Sequence, residues 1–312
     1  MAQMLYLECS SGISGDMTVG ALLDLGTPEE RAARERKVLD VLATLPVQGF
    51  EIRVSRVNKS GLDACDFDVV LDAAHENHDH DMAYLYGSEH THEGGHSHEH
   101  THEREGGHLH EHSHSHSHGH EHGHSRSHDH EHSHHHHHDH EHRNLGDVLA
   151  IIDGSSATER AKKIAHDVFA VLAAAEAKAH GKPIDEVHFH EVGAVDSIAD
   201  VLAFAVCLDD LDVSEVVVTE LAEGHGTVRC QHGVIPVPVP AVVNIVTEHA
   251  IALRMIDVWG ELVTPTGAAF VAAVRTRDSL PERFVIRSTG LGAGKREYNT
   301  PGVVRAMLID SQ

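Results

Sequence analysis

Twenty-eight of the chain's 35 histidines fall between His75 and His142, and this tract constrains the fold more than any other feature of the 312 residues. Apolar residues are nearly absent from His90 to His142. Such a segment cannot bury enough surface to offset the ~1–2 kcal/mol per residue that backbone ordering costs. Residues 75–142 are therefore expected to be a disordered, His-rich, metal-binding insertion in a surface loop, where added length costs little closure entropy. The globular part must then be assembled from two stretches of ordinary composition, 1–74 and 143–312.

Imidazoles recur through the tract in alternation, as at His114, His116 and His118, and in an unbroken run that includes His134, His136 and His138. Neutral imidazole suits nickel, copper, zinc and iron, and Ni(II) and Cu(II) stand high in the affinity order. Alternate histidines on a flexible chain can wrap an ion but fix no single geometry, which gives capacity rather than selectivity. Fourteen acidic residues against Arg104 and Arg126 leave the tract with a formal charge of −12, close to half of the chain's −25. With imidazole titrating near pH ~6.5, metal binding by the tract should collapse as pH falls towards 6. Nickel is the metal expected.

The net charge of −25 argues against nucleic acid and against an anionic membrane surface, since both require a basic face. No run approaches the ~20 apolar residues of a membrane span, and the opening MAQMLYLECSSG lacks the basic start of a secretory signal. Cys9, Cys65, Cys207 and Cys230 are scattered and form no CxxC, so a reducing cytoplasm is the expected compartment.

Leu5–Leu7 reads as a buried strand running into Ser10-Ser11-Gly12-Ile13-Ser14-Gly15-Asp16, with helices predicted over Met17–Leu25 and Glu29–Leu45. Phe50–Val57 alternates with period two and is expected to pair with Asp66–Asp72 across Asn58–Gly61. After the tract, the patterns predict helices over Leu145–Ile152, Ala157–His180, Asp196–Leu211, Pro240–Glu248 and Pro265–Val274, with strands at Val216–Val218 and Val303–Ile309. Strands mixed with helices imply an α/β or α+β fold, a layered mixed sheet with helices, interrupted by the insertion.

Four motifs in the globular part carry candidate chemistry. Ser11, Gly12, Ser14, Gly15 and Asp16, between a strand and a helix, can present backbone N–H groups to a phosphate or carboxylate, or Asp16 can hold a metal or cap the helix. His188, His190, Glu191 and Asp196 form the densest group of ligand-type residues outside the tract, with Asp200 on the same helix face as Asp196; surface histidines and a helix cap explain them equally well. His225, Cys230 and His232 lie among Gly224, Gly226 and Gly233, where a plain hairpin competes with a soft-and-borderline metal site. Thr264 and Thr266 flank Pro265 at a helix start, positioned to bind an anion or to cap. Gly290-Leu-Gly-Ala-Gly-Lys295 superficially suggests a phosphate loop, but its spacing is one residue short and Arg296 stands where Ser or Thr is required.

Taken in order, CSSGISGDM (Cys9–Met17) with GALLDLG (Gly20–Gly26), FHEVGAVDSIAD (Phe189–Asp200), GHGTVRCQHGVIPVPVPA (Gly224–Ala241), ELVTPTGAA (Glu261–Ala269) and GLGAGKRE (Gly290–Glu297) resemble the LarC-type nickel-insertion family, as does the central His-rich insertion. The resemblance implies a nickel insertase or chelatase of the lyase class. It would bind Ni(II) and deliver it to pyridinium-3,5-bisthiocarboxylic acid mononucleotide, making the nickel pincer used by racemase-type enzymes. On that resemblance nickel passes from the tract to His188, His190, His225, Cys230 and His232, the substrate rests on Ser11–Asp16 and on Thr264 and Thr266, and Glu191 or Asp196 takes the ring proton. Family members usually continue into a C-terminal domain that uses CTP, with a divalent metal. This chain stops at Gln312, so either that domain is expected to be encoded on a separate partner chain or the activity here is expected to be incomplete. Self-association is left open. A nickel store or chaperone without insertase activity would need only the tract, and would leave the globular motifs without a role.

Overall fold

The apolar run Met4–Leu7 forms strand β1 (Gln3–Glu8), which lies inside a six-stranded mixed sheet rather than at its edge. The computed structural model describes residues 3–72, 81–86, 143–187, 189, 194–230 and 232–312, and the expected disorder of the tract falls outside them, except for 81–86. The described residues belong to one unit, built from both sides of the insertion.

In chain order the elements are β1, α1 (Gly15–Leu23), α2 (Pro28–Leu42), β2 (Phe50–Lys59), β3 (Leu62–Leu71), α3 (Met82–Tyr86), α4 (Leu145–Asp153), α5 (Glu159–His180) and α6 (Val195–Leu211). Then come β4 (Glu215–Val217), β5 (Leu221–Cys230), β6 (Gly233–Val237), α7 (Pro240–Glu248), β7 (Leu253–Trp259), α8 (Pro265–Val274), β8 (Phe284–Ala293) and β9 (Val303–Ser311). The large sheet runs β2-β3-β8-β9-β1-β4, and a small sheet runs β6-β5-β7. β1 pairs parallel to β4 and antiparallel to β9, so the first and last strands are neighbours and both halves of the chain share one core. The mixed, layered architecture expected from the pattern is the one observed. No helix among the described residues is long and apolar enough to cross a membrane.

Local chemistry accounts for most element boundaries. Thr27 caps α2 through a reciprocal box with Glu30, and Pro28 opens it; α5 starts on the Thr158 cap and ends at Gly181 in the left-handed region. The β2–β3 hairpin closes with Lys59 opposite Leu62, leaving Ser60 and Gly61 as a two-residue turn at φ +52° and +84°, the backbone that matches strand twist.

The glycines of GLGAGK have a packing role. Gly290 and Gly292 lie on β8, and every residue of α1 is buried as that helix lies across the strand. A Cβ on Gly292 would stand 1.8 Å from the Met17 carbonyl oxygen, and one on Gly290 would stand 2.2 Å from that of Ala21. Helix and strand approach that closely only without side chains between them. Gly292→Ala is therefore expected to lower stability by at least the ~1–3 kcal/mol typical of overpacking, read as a shift in urea midpoint. An unchanged midpoint would mean that α1 does not sit against β8.

Candidate functional site

Four helices direct their first turns at a single cavity of about 380 Å³. Gly15 and Asp16 of α1, Asp196 and Ser197 of α6, Pro240 and Ala241 of α7, and Pro265 and Thr266 of α8 all line it. The N-termini of α1 and α8 are tied directly together: Ile13 N–H donates to the Leu262 carbonyl at 2.9 Å, and Thr264 N–H donates to the Ile13 carbonyl at 3.0 Å. Thr264 accepts from Gly267 N–H at 3.2 Å and caps α8. Helix N-termini carry positive partial charge, so their convergence favours negative groups in or on the cavity.

The cavity also carries its own carboxylates. Asp16, Asp196 and Asp200 cluster at the α1–α6 contact, and an added Cβ on Gly15 would stand only 2.2 Å from Asp200 Oδ2. Burial raises Asp200 well above the usual carboxylate range, and the charges of Asp16 and Asp196 push it further in the same direction. Asp16 accepts a hydrogen bond from Ser14 through Oδ1, while its buried Oδ2 has no hydrogen-bond partner among the described residues. A buried carboxylate oxygen of this kind is costly unless something positive is brought to it.

Opposing charge is present, and two of its side chains are also engaged by carboxylates. Lys295 pairs with Asp66 and, at 3.2 Å, with Asp68; Arg296 pairs with Glu261 at 2.6 Å. The lining holds six carboxylates (Asp16, Asp68, Glu176, Asp196, Asp200 and Glu261) against three permanent cations (Arg229, Lys295 and Arg296). The balance suits a cation, with positive groups left on one side for a zwitterionic guest. Phe67, Val69, Leu85, Val228, Ile235 and Val239 supply apolar wall, as small-molecule sites require.

Of the residues singled out from sequence, Ser14, Gly15, Asp16, Asp196, Cys230, His232, Thr264 and Thr266 line this cavity together. Ser11 is buried and Gly12 packs on Leu262, in the turn behind the lining. His225 stands elsewhere, on β5, 3.3 Å from Asp257 and edge-on to Trp259. His188, His190 and Glu191, like the tract ligands His114, His116, His118, His134, His136 and His138, lie outside the described residues. Among the described residues, no three His, Cys, Asp or Glu side chains are already gathered around one point.

Sequence reasoning missed Glu176, His180, Lys295 and Arg296 as cavity residues. Lys295 and Arg296 follow the strand that resembles a phosphate loop, and rejecting that loop hid them. Glu176 and His180 share a face of a long alanine-rich helix, which reads from sequence as a packing element only.

Glu223 is the buried brace behind the site. Its Oε1 accepts from the backbone N–H groups of Gly224 and Leu262 at 2.8 Å each and from Val263 at 3.2 Å, holding the segment that leads into α8. Burial pushes its carboxyl up to about 7 against the opposing pull of those N–H groups. A carboxyl raised in the folded chain binds its proton more tightly there than when unfolded. Stability should therefore fall as pH rises from about 4.5 to about 7, by an amount on the order of 3 kcal/mol, and level off above. Glu223→Gln keeps the acceptor oxygen and should flatten that fall, measured as urea midpoints at the two ends of the window. Parallel pH curves for the two proteins would mean Glu223 does not titrate there.

A family model described as nickel insertion protein matches residues 5–312. A protein of Alkaliphilus metalliredigens named pyridinium-3,5-bisthiocarboxylic acid mononucleotide nickel insertion protein is 44% identical over 99% of this chain and 61% of its own length. Proteins of the same name from Clostridium acetobutylicum and Geobacillus kaustophilus are 38% and 34% identical, over 64% and 59% of their lengths. The chain thus spans about three fifths of the length of these curated relatives. No solved structure matches it.

Proposed function

This chain belongs to the nickel insertion protein family, and from that premise we propose that its cavity brings Ni(II) to pyridinium-3,5-bisthiocarboxylic acid mononucleotide and inserts it between the two thiocarboxylates. The single observation that carries this reading is the meeting, on one wall system, of the Asp16–Asp196–Asp200 carboxylates, the Cys230–His232 pair and the Lys295–Arg296 cations. Each matches one part of the reaction. The pyridinium ring is a cation, and the apolar wall and carboxylates suit it. The phosphate and thiocarboxylates are anions, suited by the N-termini of α1 and α8 and by the two basic side chains. Nickel is borderline to soft in its preference, and Cys230 and His232 offer a sulfur and a nitrogen.

The chemistry then needs one proton removed from the ring carbon that becomes bonded to nickel. The Asp196 carboxylate takes it and becomes the neutral acid, the C–H electron pair passing into the carbon–nickel bond, and loss of that negative charge relieves the repulsion with Asp200 and Asp16 beside it. Glu191 is the other candidate base, just before α6 in the chain. The His-rich tract gathers nickel and delivers it, and nickel-pincer-dependent enzymes receive the product. CTP use, with its own divalent metal, is assigned to the part of the relatives' length that this chain does not span.

The test is direct. Nickel-loaded chain is mixed with the mononucleotide, with and without CTP and a C-terminal segment from a relative, and the nickel adduct is followed by mass spectrometry. Adduct from the loaded chain, lost in a cavity variant, supports insertion. Tight nickel binding with no adduct under any of these conditions would reduce the protein to a nickel carrier.

A further inference from the structure

Besides the aspartate cluster, the cavity carries a different set of donors, drawn from two elements distant in sequence. Glu176 and His180 stand one turn apart on the last turns of α5, with His180 Nε2 3.4 Å from Glu176 Oε2. Cys230 ends β5 and His232 lies in the turn to β6, with Cys230 Sγ and His232 Nδ1 4.0 Å apart. The two pairs meet: the His180 and His232 rings have centroids 4.8 Å apart at 49°. All four side chains line the cavity.

We infer that Glu176, His180, Cys230 and His232 form a divalent transition-metal site, the station at which Ni(II) is held before transfer. The inference rests on the reading of this cavity as the insertion site, and it adds α5, which nothing in the motifs assigned. The donor set is one sulfur, two imidazole nitrogens and one carboxylate oxygen. That mixture suits nickel, copper or zinc and is poor for magnesium or calcium. The position also suits a cation, because His180 is the last residue of α5, where the helix carbonyls carry negative partial charge.

The four donors are neighbours but are not drawn around one point. Rotation of the side chains is needed to close on an ion; the Glu176, His180 and Cys230 side chains are only partly buried and His232 is exposed. A site of this kind holds metal without enclosing it, as a transfer station requires and a structural site does not. Binding replaces the Cys230 thiol proton, which leaves to solvent, with a nickel–thiolate bond; no oxidant or reductant is involved.

The other three cysteines make the test specific even with the histidine tract present. Cys9, Cys65 and Cys207 are buried, and burial pushes each thiol up to about 12, so Cys230 alone is poised to give a nickel thiolate. Titration of the full chain with Ni(II), followed by near-ultraviolet thiolate-to-nickel charge-transfer absorption, should give a saturable band. The band should be absent in Cys230→Ser. Half-saturation should need on the order of tenfold more nickel in His180→Asn and in His232→Asn, and somewhat less in Glu176→Gln. Far-ultraviolet dichroism and the urea midpoint confirm that each variant is folded. A wild-type band retained at full affinity in folded His180→Asn would remove α5 from the site, and no band in the wild type would overturn the site altogether. Adduct formation, measured on the same samples, separates the two readings. Adduct without a band leaves insertion standing and sinks this station; a band without adduct does the reverse.

Discussion

Asp196→Asn is expected to slow nickel–adduct formation by about 10²–10⁴-fold, the usual worth of a positioned general base, while nickel uptake by the whole chain stays near its wild-type level. The asparagine keeps the shape of the α6 first turn and removes only the capacity to accept the ring proton. Uptake is spared because most of the chain's histidines lie in the tract. Asp200→Asn supplies the contrast. The Asp200 carboxyl is held well above its usual range by burial and by its two acidic neighbours, so its charge is a burden on the folded state. The sign follows from linkage: a raised carboxyl costs stability once pH exceeds its unfolded value, and the neutral amide removes that cost. Asp200→Asn should therefore unfold at higher urea concentration than the wild type at neutral pH, yet bind and turn over substrate less well. A site kept for function at the expense of stability behaves this way. If both variants form adduct at wild-type rate, the aspartate cluster is not where the proton goes, and Glu191 becomes the candidate to test.

Periodicity with capping chemistry located most helices to within two residues; α7 and α8 were placed at their observed bounds. Strands β7 and β8 were not read. The glycines of β8 look like a loop in sequence because their purpose is the close approach of α1, a tertiary contact that leaves no local pattern. The site was half legible. Ser14–Asp16, Asp196, Cys230–His232 and Thr264–Thr266 carry turn, cap and ligand chemistry that can be read locally, and the fold gathers them onto one cavity. Glu176, His180, Lys295 and Arg296 join them only because α5 and the end of β8 pass beside the same space. Nothing in the spacing of those residues announces that meeting. His225 illustrates the converse: five residues from Cys230 on one strand, it is turned to Asp257 and Trp259 instead.

Arg296→Met is expected to destabilise the chain by about 3–5 kcal/mol, the cost of leaving a buried carboxylate without its partner. Arg296 donates to Glu261 at 2.6 Å with the two side chains only 16% and 7% exposed, so solvent does little to screen the pair. The pair sits within a wider network. Tyr298 donates its hydroxyl proton to the Glu261 carbonyl at 3.0 Å, its oxygen lies 2.7 Å from that of Tyr86, and Glu261 N–H donates to Tyr86 at 3.1 Å. Tyr86 ends α3, the one described piece of the residues 75–142 stretch, and its neighbour Leu85 is buried against the cavity. The ion pair thus anchors the point where the chain leaves the core for the histidine-rich insertion. Glu261→Gln alone should be comparably harmful, since it strands the guanidinium. The double replacement Arg296→Met with Glu261→Gln removes both charges and should recover much of the loss, giving a large coupling energy in a double-mutant cycle. In the same double variant, with stability largely restored, adduct formation should remain impaired, because Arg296 lines the cavity as well as bracing it. Single replacements that each cost under about 1 kcal/mol would place the pair in the class of solvated surface bridges, and the insertion would then need some other anchor.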